Sequence, residues 1–347
     1  MYKKILQKVY LLGAVTLFIL SGCQKGNNLG LDNASVIQTP YSLYAVKKDG
    51  MVIQSTNGEE YRFVFPPDGY AATQLLTAGP NLMMVKGTTL HMSRNEGKSF
   101  NPVYTTLRKN NWQNSIYYHA AFNKVFITST EDRGLFYSSD YGETWEPDLF
   151  VQGLPNLYQV SSFSGLENGN LYAYSNVSNL TFIKTGSTIE WTPVTTISFY
   201  PTIGSEYYLT SAGNTLYLVD YNGIAGVWVS TDGAVTWTKL TNNQVLPINV
   251  KYTGAVSPFG NKVVVVGTET EGIFRSDEEG VFHPTTGLPK GASVKSLTRK
   301  INIYKNNDVK IYLYAATSVG IYRSEDSGKT WFFSGNESWK DEYTAIY

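Results

Sequence analysis

The sequence predicts an all-β protein: a β-propeller of seven four-stranded antiparallel blades, closed when the C-terminal strand pairs into the first blade. Three observations predict it. Aromatic residues make up 14% of the 347 residues and charged residues only 16%, a mix that suits strands better than surface helices. The 31 glycines indicate frequent tight turns. Finally, a segment of about 46 residues recurs along the chain, which is the length of one propeller blade.

The repeat is marked by an eight-residue motif, Ser-x-Asp-x-Gly-x-Thr-Trp. The copies that begin at Ser138 and Ser324 are complete. In the copy from Ser230 the glycine has moved one place, and in the copy from Ser93 the aspartate, threonine and tryptophan are replaced by asparagine, serine and phenylalanine. Three further copies match the motif at fewer positions, but their spacing follows the same period. The eighth places lie 38, 45, 46, 46, 46 and 48 residues apart, at Arg62, Phe100, Trp145, Trp191, Trp237, His283 and Trp331. Seven copies therefore predict seven blades.

Each copy follows the same plan of strands. An apolar strand leads through a polar turn ending in glycine to a second strand that runs into the motif serine, with one further strand upstream and one downstream. The first blade lacks a convincing first strand, whereas the chain ends in "EYTAIY" (342–347), a strand without a blade. We expect this segment to complete the first blade, because closure removes open sheet edges. The propeller is predicted to span 41–347.

The N-terminus has the features of an export signal. Basic residues precede an apolar run at 9–20, which is too short to cross a bilayer comfortably. "LSGC", ending at Cys23, resembles the bacterial lipobox, in which the cysteine is lipidated and becomes the mature N-terminus. Cys23 is the only cysteine, so no intramolecular disulfide can form. We expect a signal peptide at 1–22, a lipidated cysteine and flexible tether at 23–40, and export.

The membrane is thus a predicted partner, reached through the lipid on Cys23. A glutamine follows the cysteine, and no acid-rich export run is present. By resemblance to bacterial sorting, we expect an outer-membrane lipoprotein facing the periplasm, with the cell surface as the alternative.

The repeated motif resembles the Asp-box, or BNR repeat, of bacterial sialidases, xyloglucan-cleaving glycoside hydrolases, sortilin-type receptors and a photosystem II assembly factor. The resemblance covers residues 42–347 and implies the fold but no particular activity. It implies that the motifs lie on the outer rim, away from the ligand. Serine and aspartate oxygens can hold such a turn by accepting backbone N–H groups. The predicted structural residues are Ser93, Asn95, Gly97, Ser138, Asp140, Gly142, Trp145, Ser230, Asp232, Trp237, Ser324, Asp326, Gly328 and Trp331.

A ligand is expected on the loops that lead from a fourth strand to the next first strand and from a second to a third strand. Aromatic rings beside hydrogen-bonding acids suit a carbohydrate or a peptide. The candidate residues are Tyr70, Trp112, His119, Glu131, Asp132, Arg133, Tyr200, Asp220, Glu269, Glu271 and Trp339. His119 is included because it falls in a predicted channel-lining strand.

The formal net charge is zero, which gives no general attraction to nucleic acid. No nucleotide-binding, hydrolase or zinc-protease motif occurs, so we predict no cofactor, no metal site and no assigned catalytic residue. The leading hypothesis is a membrane-anchored, non-catalytic envelope module that binds a glycan or a protein. The alternatives are a glycoside hydrolase that uses two loop carboxylates and an envelope assembly factor. A sialidase is disfavoured by the absence of an Arg-Ile-Pro signature and by seven rather than six blades.

Overall fold

The fold is described from a computed structural model. It covers residues 37–108, 115–130, 134–148, 160–176, 178–186, 190–196, 206–223, 226–240, 246–247 and 250–347. The predicted leader and most of the predicted tether lie outside these residues.

The described chain is almost entirely β-strand. In blade order the strands are, for blade one, β2 (Leu43–Lys47), β3 (Val52–Ser55), β4 (Arg62–Phe65) and β29 (Tyr343–Ile346); for blade two, β5 (Gln74–Ala78), β6 (Asn81–Lys86), β7 (Thr89–Ser93) and β8 (Asn101–Tyr104); for blade three, β9 (Ile116–His119), β10 (Lys124–Thr128), β11 (Leu135–Ser138) and β12 (Glu146–Pro147); and for blade four, β13 (Val160–Gly165), β14 (Leu171–Ser175), β15 (Leu180–Lys184) and β16 (Thr192–Thr196). The remaining strands are, for blade five, β17 (Tyr207–Ala212), β18 (Thr215–Asp220), β19 (Val227–Ser230) and β20 (Thr238–Lys239); for blade six, β21 (Tyr252–Val256), β22 (Val265–Thr268), β23 (Ile273–Ser276) and β24 (Phe282–Pro284); and for blade seven, β25 (Val294–Tyr304), β26 (Val309–Thr317), β27 (Gly320–Ser324), β28 (Phe332–Phe333) and β1 (Ile37–Thr39).

The strands form seven antiparallel sheets, as the repeat predicts. Six sheets have four strands and the seventh has five. The innermost strand of each sheet, from β5 through β25 to β29, contacts the innermost strands of both neighbouring blades, so these seven strands ring a central axis. The predicted class, an all-β propeller of seven blades, is confirmed.

The core lies between the blades rather than inside any one of them. Seven clusters of buried apolar side chains are present, and each joins two neighbouring sheets. One cluster packs Phe126 of blade three against Phe163 of blade four, and another packs Leu43 of blade one against Tyr314 of blade seven. The hydrophobic stabilisation of every blade therefore depends on its neighbours.

The ring closes where the sequence predicts. Strand β29 pairs antiparallel with β2, with Ala45 opposite Ile346 and Val46 opposite Ala345. Beyond the strand, Tyr44 and Tyr347 exchange backbone hydrogen bonds of 2.8 and 2.9 Å. The C-terminal segment is thus the first strand of blade one.

The repeated motifs lie in the turns between third and fourth strands. In the copy at Asp140, the Ser138 hydroxyl donates to the aspartate (2.7 Å) and accepts the N–H of Gly142 (2.7 Å). The aspartate also accepts the N–H (2.9 Å) and hydroxyl (2.6 Å) of Thr144. The copy at Asp326 has the same set of bonds. We call these the signature turns, and the end of the ring that carries them the turn face; the opposite end is the loop face.

Blade seven departs from the pattern. Its first two strands, β25 and β26, contain 11 and 9 residues, whereas the other innermost strands contain 4 to 6. Their far halves form a hairpin that extends past the ring on the turn face. Strand β1 pairs with β25 along this extension, placing Ile37 opposite Tyr304. The end of the segment predicted as a tether thus supplies a fifth strand.

Candidate functional site

The innermost strands surround a cavity of about 280 Å³ on the axis of the ring, which we call the channel. It is lined by strand residues from blades one, two, three, five, six and seven, among them Tyr117, Tyr118, Tyr208, Thr210, Thr253 and Arg299. The lining therefore combines aromatic rings, hydroxyl groups and one cation. Such a mixture suits a polar ligand with an apolar face.

Two of the channel tyrosines are fixed by bonds to a neighbouring blade. The hydroxyl of Tyr117 accepts the N–H of Gly165 in blade four at 2.7 Å. Tyr208 donates to the carbonyl of Ala255 in blade six at 2.8 Å and accepts the N–H of the same residue. Burial raises the pKa of Tyr117 to about 12, so its hydroxyl stays protonated at neutral pH. The bonds hold both rings in place before any ligand arrives.

Arg299 is the cation of the channel. It is half-buried, and its guanidinium donates to the carbonyls of Ser257 (3.3 Å) and Pro258 (3.4 Å) at the end of blade six. Burial lowers the pKa of Arg299, and the carboxylate of Glu167 partly opposes this effect. Within the described part of the chain Arg299 forms no ion pair. The guanidinium therefore places a positive charge in the channel wall, beside the cavity that Glu167 also lines.

A second cavity, of about 450 Å³, opens at the turn-face mouth of the channel and shares Arg299 with it. His119 lines this cavity but is only 5% exposed. Its Nε2 lies 2.9 Å from the carbonyl of Gly169, and its ring packs edge-on against Phe122 with centroids 4.4 Å apart. Burial lowers the pKa of His119 and so favours the neutral ring, although the bond to Gly169 opposes this effect. These contacts fix His119 between blades three and four.

Lys300 lies next to Arg299 in sequence but faces the other side of its strand. It lines a third cavity of about 480 Å³ beside blades one and two. Its Nζ lies 4.3 Å from the centroid of the Tyr347 ring. Burial lowers the pKa of Lys300 to about 8. A fraction of this amine is therefore unprotonated near neutral pH.

The predicted ligand-face residues do not converge within the described chain. Trp112, Glu131, Asp132, Arg133 and Tyr200 lie outside the described residues. Of the others, only His119, at the turn-face mouth, lines one of the three cavities. The residues that line none of them are Tyr70, Asp220, Glu269, Glu271 and Trp339.

Their surroundings differ. Tyr70 is 70% exposed, and Glu269 and Glu271 are exposed on a single turn of blade six. Asp220 is fully buried, and its carboxylate accepts the N–H of Asn222 at 3.1 Å, which orders the turn after β18. Trp339 packs against Tyr61 with ring centroids 6.2 Å apart.

Sequence reasoning did not single out the channel tyrosines or Arg299. The available signal was their position in the first strand of each repeat. The alternation of apolar and polar residues along such a strand does not show which of its sides faces the axis, because neighbouring blades cover both sides in a propeller.

Among the described residues no group of three or more His, Cys, Asp or Glu side chains could hold a metal ion. Nor does any described helix have the length and apolar character needed to span a membrane.

No protein-family model matches the chain, and no curated protein is significantly similar to it. Solved structures do resemble it. The GH74 xyloglucanase from Xanthomonas campestris superposes with a TM-score of 0.59 at 13% identity, covering 85% of this chain and 53% of the enzyme. YCF48 from Cyanidioschyzon merolae gives 0.52 at 14% identity, with 77% and 85% covered. Virginiamycin B lyase from Staphylococcus aureus gives 0.53 at 14% identity, with 82% and 97% covered.

The chain has a β-propeller fold. The similarity shows no more than that, because identities this low accompany many different activities on one fold. The chain spans about half the length of the xyloglucanase that it resembles.

Proposed function

We propose that the protein is a lipid-anchored, non-catalytic binding module of the bacterial cell envelope, with the channel as its ligand site. The observation that carries the proposal is the channel lining. Tyr117 and Tyr208 are held in place by backbone bonds, and Arg299 brings a cation that forms no ion pair among the described residues, although the carboxylate of Glu167 acts on it. Preorganised aromatic and hydrogen-bonding groups of this kind favour binding, since little side-chain entropy is lost when a ligand enters.

The ligand class follows from the same groups. Aromatic rings stack on sugar rings or apolar side chains, and a guanidinium pairs best with a carboxylate. We therefore propose a glycan or a protein segment that carries a carboxylate, such as an acidic polysaccharide or an acidic peptide.

The anchor is proposed on the sequence of the leader. Cys23 follows an apolar run and ends a lipobox-like "LSGC", and it is separated by 13 residues from Ile37, where the described structure begins. Several acyl chains on one residue would give firm attachment. The outer membrane, with the propeller in the periplasm, remains the proposed location.

We also propose that the signature turns are Asp-box repeats whose side chains stabilise the turn. Their Ser and Asp oxygens are used within the turn, as at Ser324 and Asp326. They have a structural role in this account and make no contact with the ligand.

Glycoside hydrolysis is the alternative function. Such an enzyme needs two carboxylates facing each other at about 5–10 Å. Among the described residues that line the channel, none is Asp or Glu, and Glu269 and Glu271 share one exposed turn. We therefore place binding ahead of hydrolysis, with an envelope assembly factor as the third hypothesis.

The test is a glycan array and an acidic-peptide library probed with the detergent-solubilised full chain. Arg299→Met should weaken binding to the hits at least about tenfold. Arg275→Met is the matched control, because Arg275 is also half-buried but donates to the backbone of Ser327, away from the channel. Each hit is then incubated with the protein and analysed for products. Cleavage of a hit would favour the enzyme alternative over the proposal. Hits whose binding is unchanged by Arg299→Met would rule out the channel as the ligand site.

A further inference from the structure

An exposed apolar patch lies on the hairpin of blade seven. Ile301, Ile303 and Val309 are 44%, 37% and 59% exposed, although each belongs to a paired strand. Ile301 pairs with Ile311 and Ile303 pairs with Val309, so the four side chains lie on the same face of two adjacent strands. Exposed apolar groups clustered in this way mark an interaction surface, whereas isolated ones do not.

A turn of blade six lies beside the base of the hairpin. Arg299, on the same face of β25 as Ile301, donates to Ser257 and Pro258, which bring the turn of blade six against the base of the hairpin. The next residue of that turn, Phe259, is 50% exposed. The patch defined by Ile301, Ile303, Val309 and Phe259 is called the apolar tip.

Basic residues flank the apolar tip. Lys305 is exposed at the end of the hairpin, and Lys310 is exposed on the opposite face of the same strands, with its Nζ 5.4 Å from the centroid of the Tyr304 ring. Asp308 is the single acid of the segment 301–310. Exposed aliphatic side chains beside lysines match the interface of a bilayer that contains anionic lipids, because the lysines bind headgroups while the apolar groups enter the acyl boundary.

The hairpin also projects far enough to reach such a surface. The four residues from Ile301 to Tyr304 extend past the ring by roughly 13 Å at the rise of a β-strand. The described chain begins at Ile37, and β1 pairs with this same hairpin. The proposed lipid site at Cys23 is 14 positions earlier, so an extended tether would span at most about 50 Å. The chain that leads to the anchor thus leaves the propeller beside the apolar tip.

We infer that the apolar tip docks into the lipid bilayer and orients the propeller with its turn face toward the membrane and its loop face away from it. The inference rests on the proposed lipid attachment at Cys23. Two points of contact, the acyl chains and the hairpin, would fix an orientation that a flexible tether alone leaves free.

The test places an environment-sensitive fluorophore on the full chain in vesicles of phosphatidylethanolamine and phosphatidylglycerol. The probe is attached at Ile303→Cys or, as the matched control, at Val319→Cys. Val319 is also 37% exposed and lies in the turn between β26 and β27, at the loop-face end of the same blade. Both variants carry Cys23, so any fluorescence from a label on unacylated Cys23 contributes equally to both. A quencher carried on the lipid chains should reduce the signal from position 303 at least about twofold more than that from position 319.

Mass spectrometry of Cys23 in the same samples separates the two proposals. If Cys23 is acylated and positions 303 and 319 are quenched equally, the docking inference is overturned while the anchor stands. Quenching at 303 without acylation would retain the docking surface and remove the anchor. Equal quenching without acylation overturns both. If position 303 is shielded in cells but not in vesicles, the surface belongs to a protein partner and lipid docking is wrong.

Discussion

Replacement of Tyr343 by alanine tests ring closure quantitatively. Tyr343 is fully buried in the closing strand β29, within the apolar cluster shared by blades seven and one. Its hydroxyl donates to the carbonyl of Trp339 at 3.0 Å. Truncating a buried aromatic side chain to alanine typically costs about 3–5 kcal/mol. Because a domain is stable by only about 5–15 kcal/mol in total, Tyr343→Ala should remove a large part of the free energy of unfolding.

The assay is equilibrium unfolding in guanidinium chloride, followed by tryptophan fluorescence and far-ultraviolet circular dichroism. Thr344→Ala is the matched control, since Thr344 is half-buried and its hydroxyl makes only a 3.5 Å contact with Val46. We expect the control to change the free energy of unfolding by less than about 1 kcal/mol. The two probes should report one shared transition for Tyr343→Ala, shifted to lower denaturant. An equal, small loss in both variants would refute the idea that the closing strand stabilises the whole ring.

The remaining predictions concern the signature turns and the channel. Asp326→Ala removes the acceptor for two backbone N–H groups and should lower the free energy of unfolding by about 1 kcal/mol, with Glu325→Ala as the control; calorimetry showing no difference between them would contradict the stabilising role. Burial raises the pKa of Asp140, but its hydrogen bonds from neighbouring turn residues outweigh that effect and hold the pKa at about 2. A depressed carboxyl pKa stabilises the fold above the unfolded value of about 3.9, and the contribution is lost as the pH falls toward 2; Asp140→Asn should therefore flatten the acid unfolding profile in that window, and an unchanged profile would count against it. Gly142 has a φ of +96°, and an added Cβ would lie 2.5 Å from Met83; Gly142→Ala should lower the melting temperature more than Asp326→Ala, and the reverse order would be inconsistent with this geometry. Arg299→Met should weaken ligand binding at least about tenfold without changing the melting temperature by more than a few degrees, and isothermal calorimetry on any array hit measures it; unchanged affinity would place the ligand elsewhere.

The repeat made most of the fold predictable. Each motif fixes a turn through its own side chains, as at Ser138 and Asp140, so local sequence specifies local structure. The regular spacing then gives the number of blades. The missing first strand of blade one and the unpaired strand at 342–347 indicated the closure, because an open edge would otherwise remain.

The copy from Ser230, in which the glycine is displaced, shows that local residue preferences do not determine every turn. The N–H that bonds to Ser230 there belongs to Ala234, which adopts a φ of +69° although it is not glycine. The turn keeps its bonds because Ala234 is 1% exposed and packs in the cluster between blades four and five. Tertiary packing overrides the conformational preference of a single residue here.

The extended hairpin and β1 were not predicted. Strand pairing between Ile37 and Tyr304 joins residues far apart in sequence, and neither segment carries the repeated motif. The candidate site was predictable only in part for a related reason. Asp220 was predicted as a candidate ligand-face residue on a loop, but it is fully buried, which its own segment does not reveal. Whether Arg299 faces the channel likewise depends on the register of the whole ring.

The most direct test of the account is hydrogen–deuterium exchange on the acylated full chain, with and without its strongest array ligand. We expect slower exchange in the channel-lining strands β17, β21 and β25, and no change in the signature turns at Asp140 and Asp326. Protection confined to the signature turns, or to outer strands alone, would contradict the assignment of the channel as the binding site.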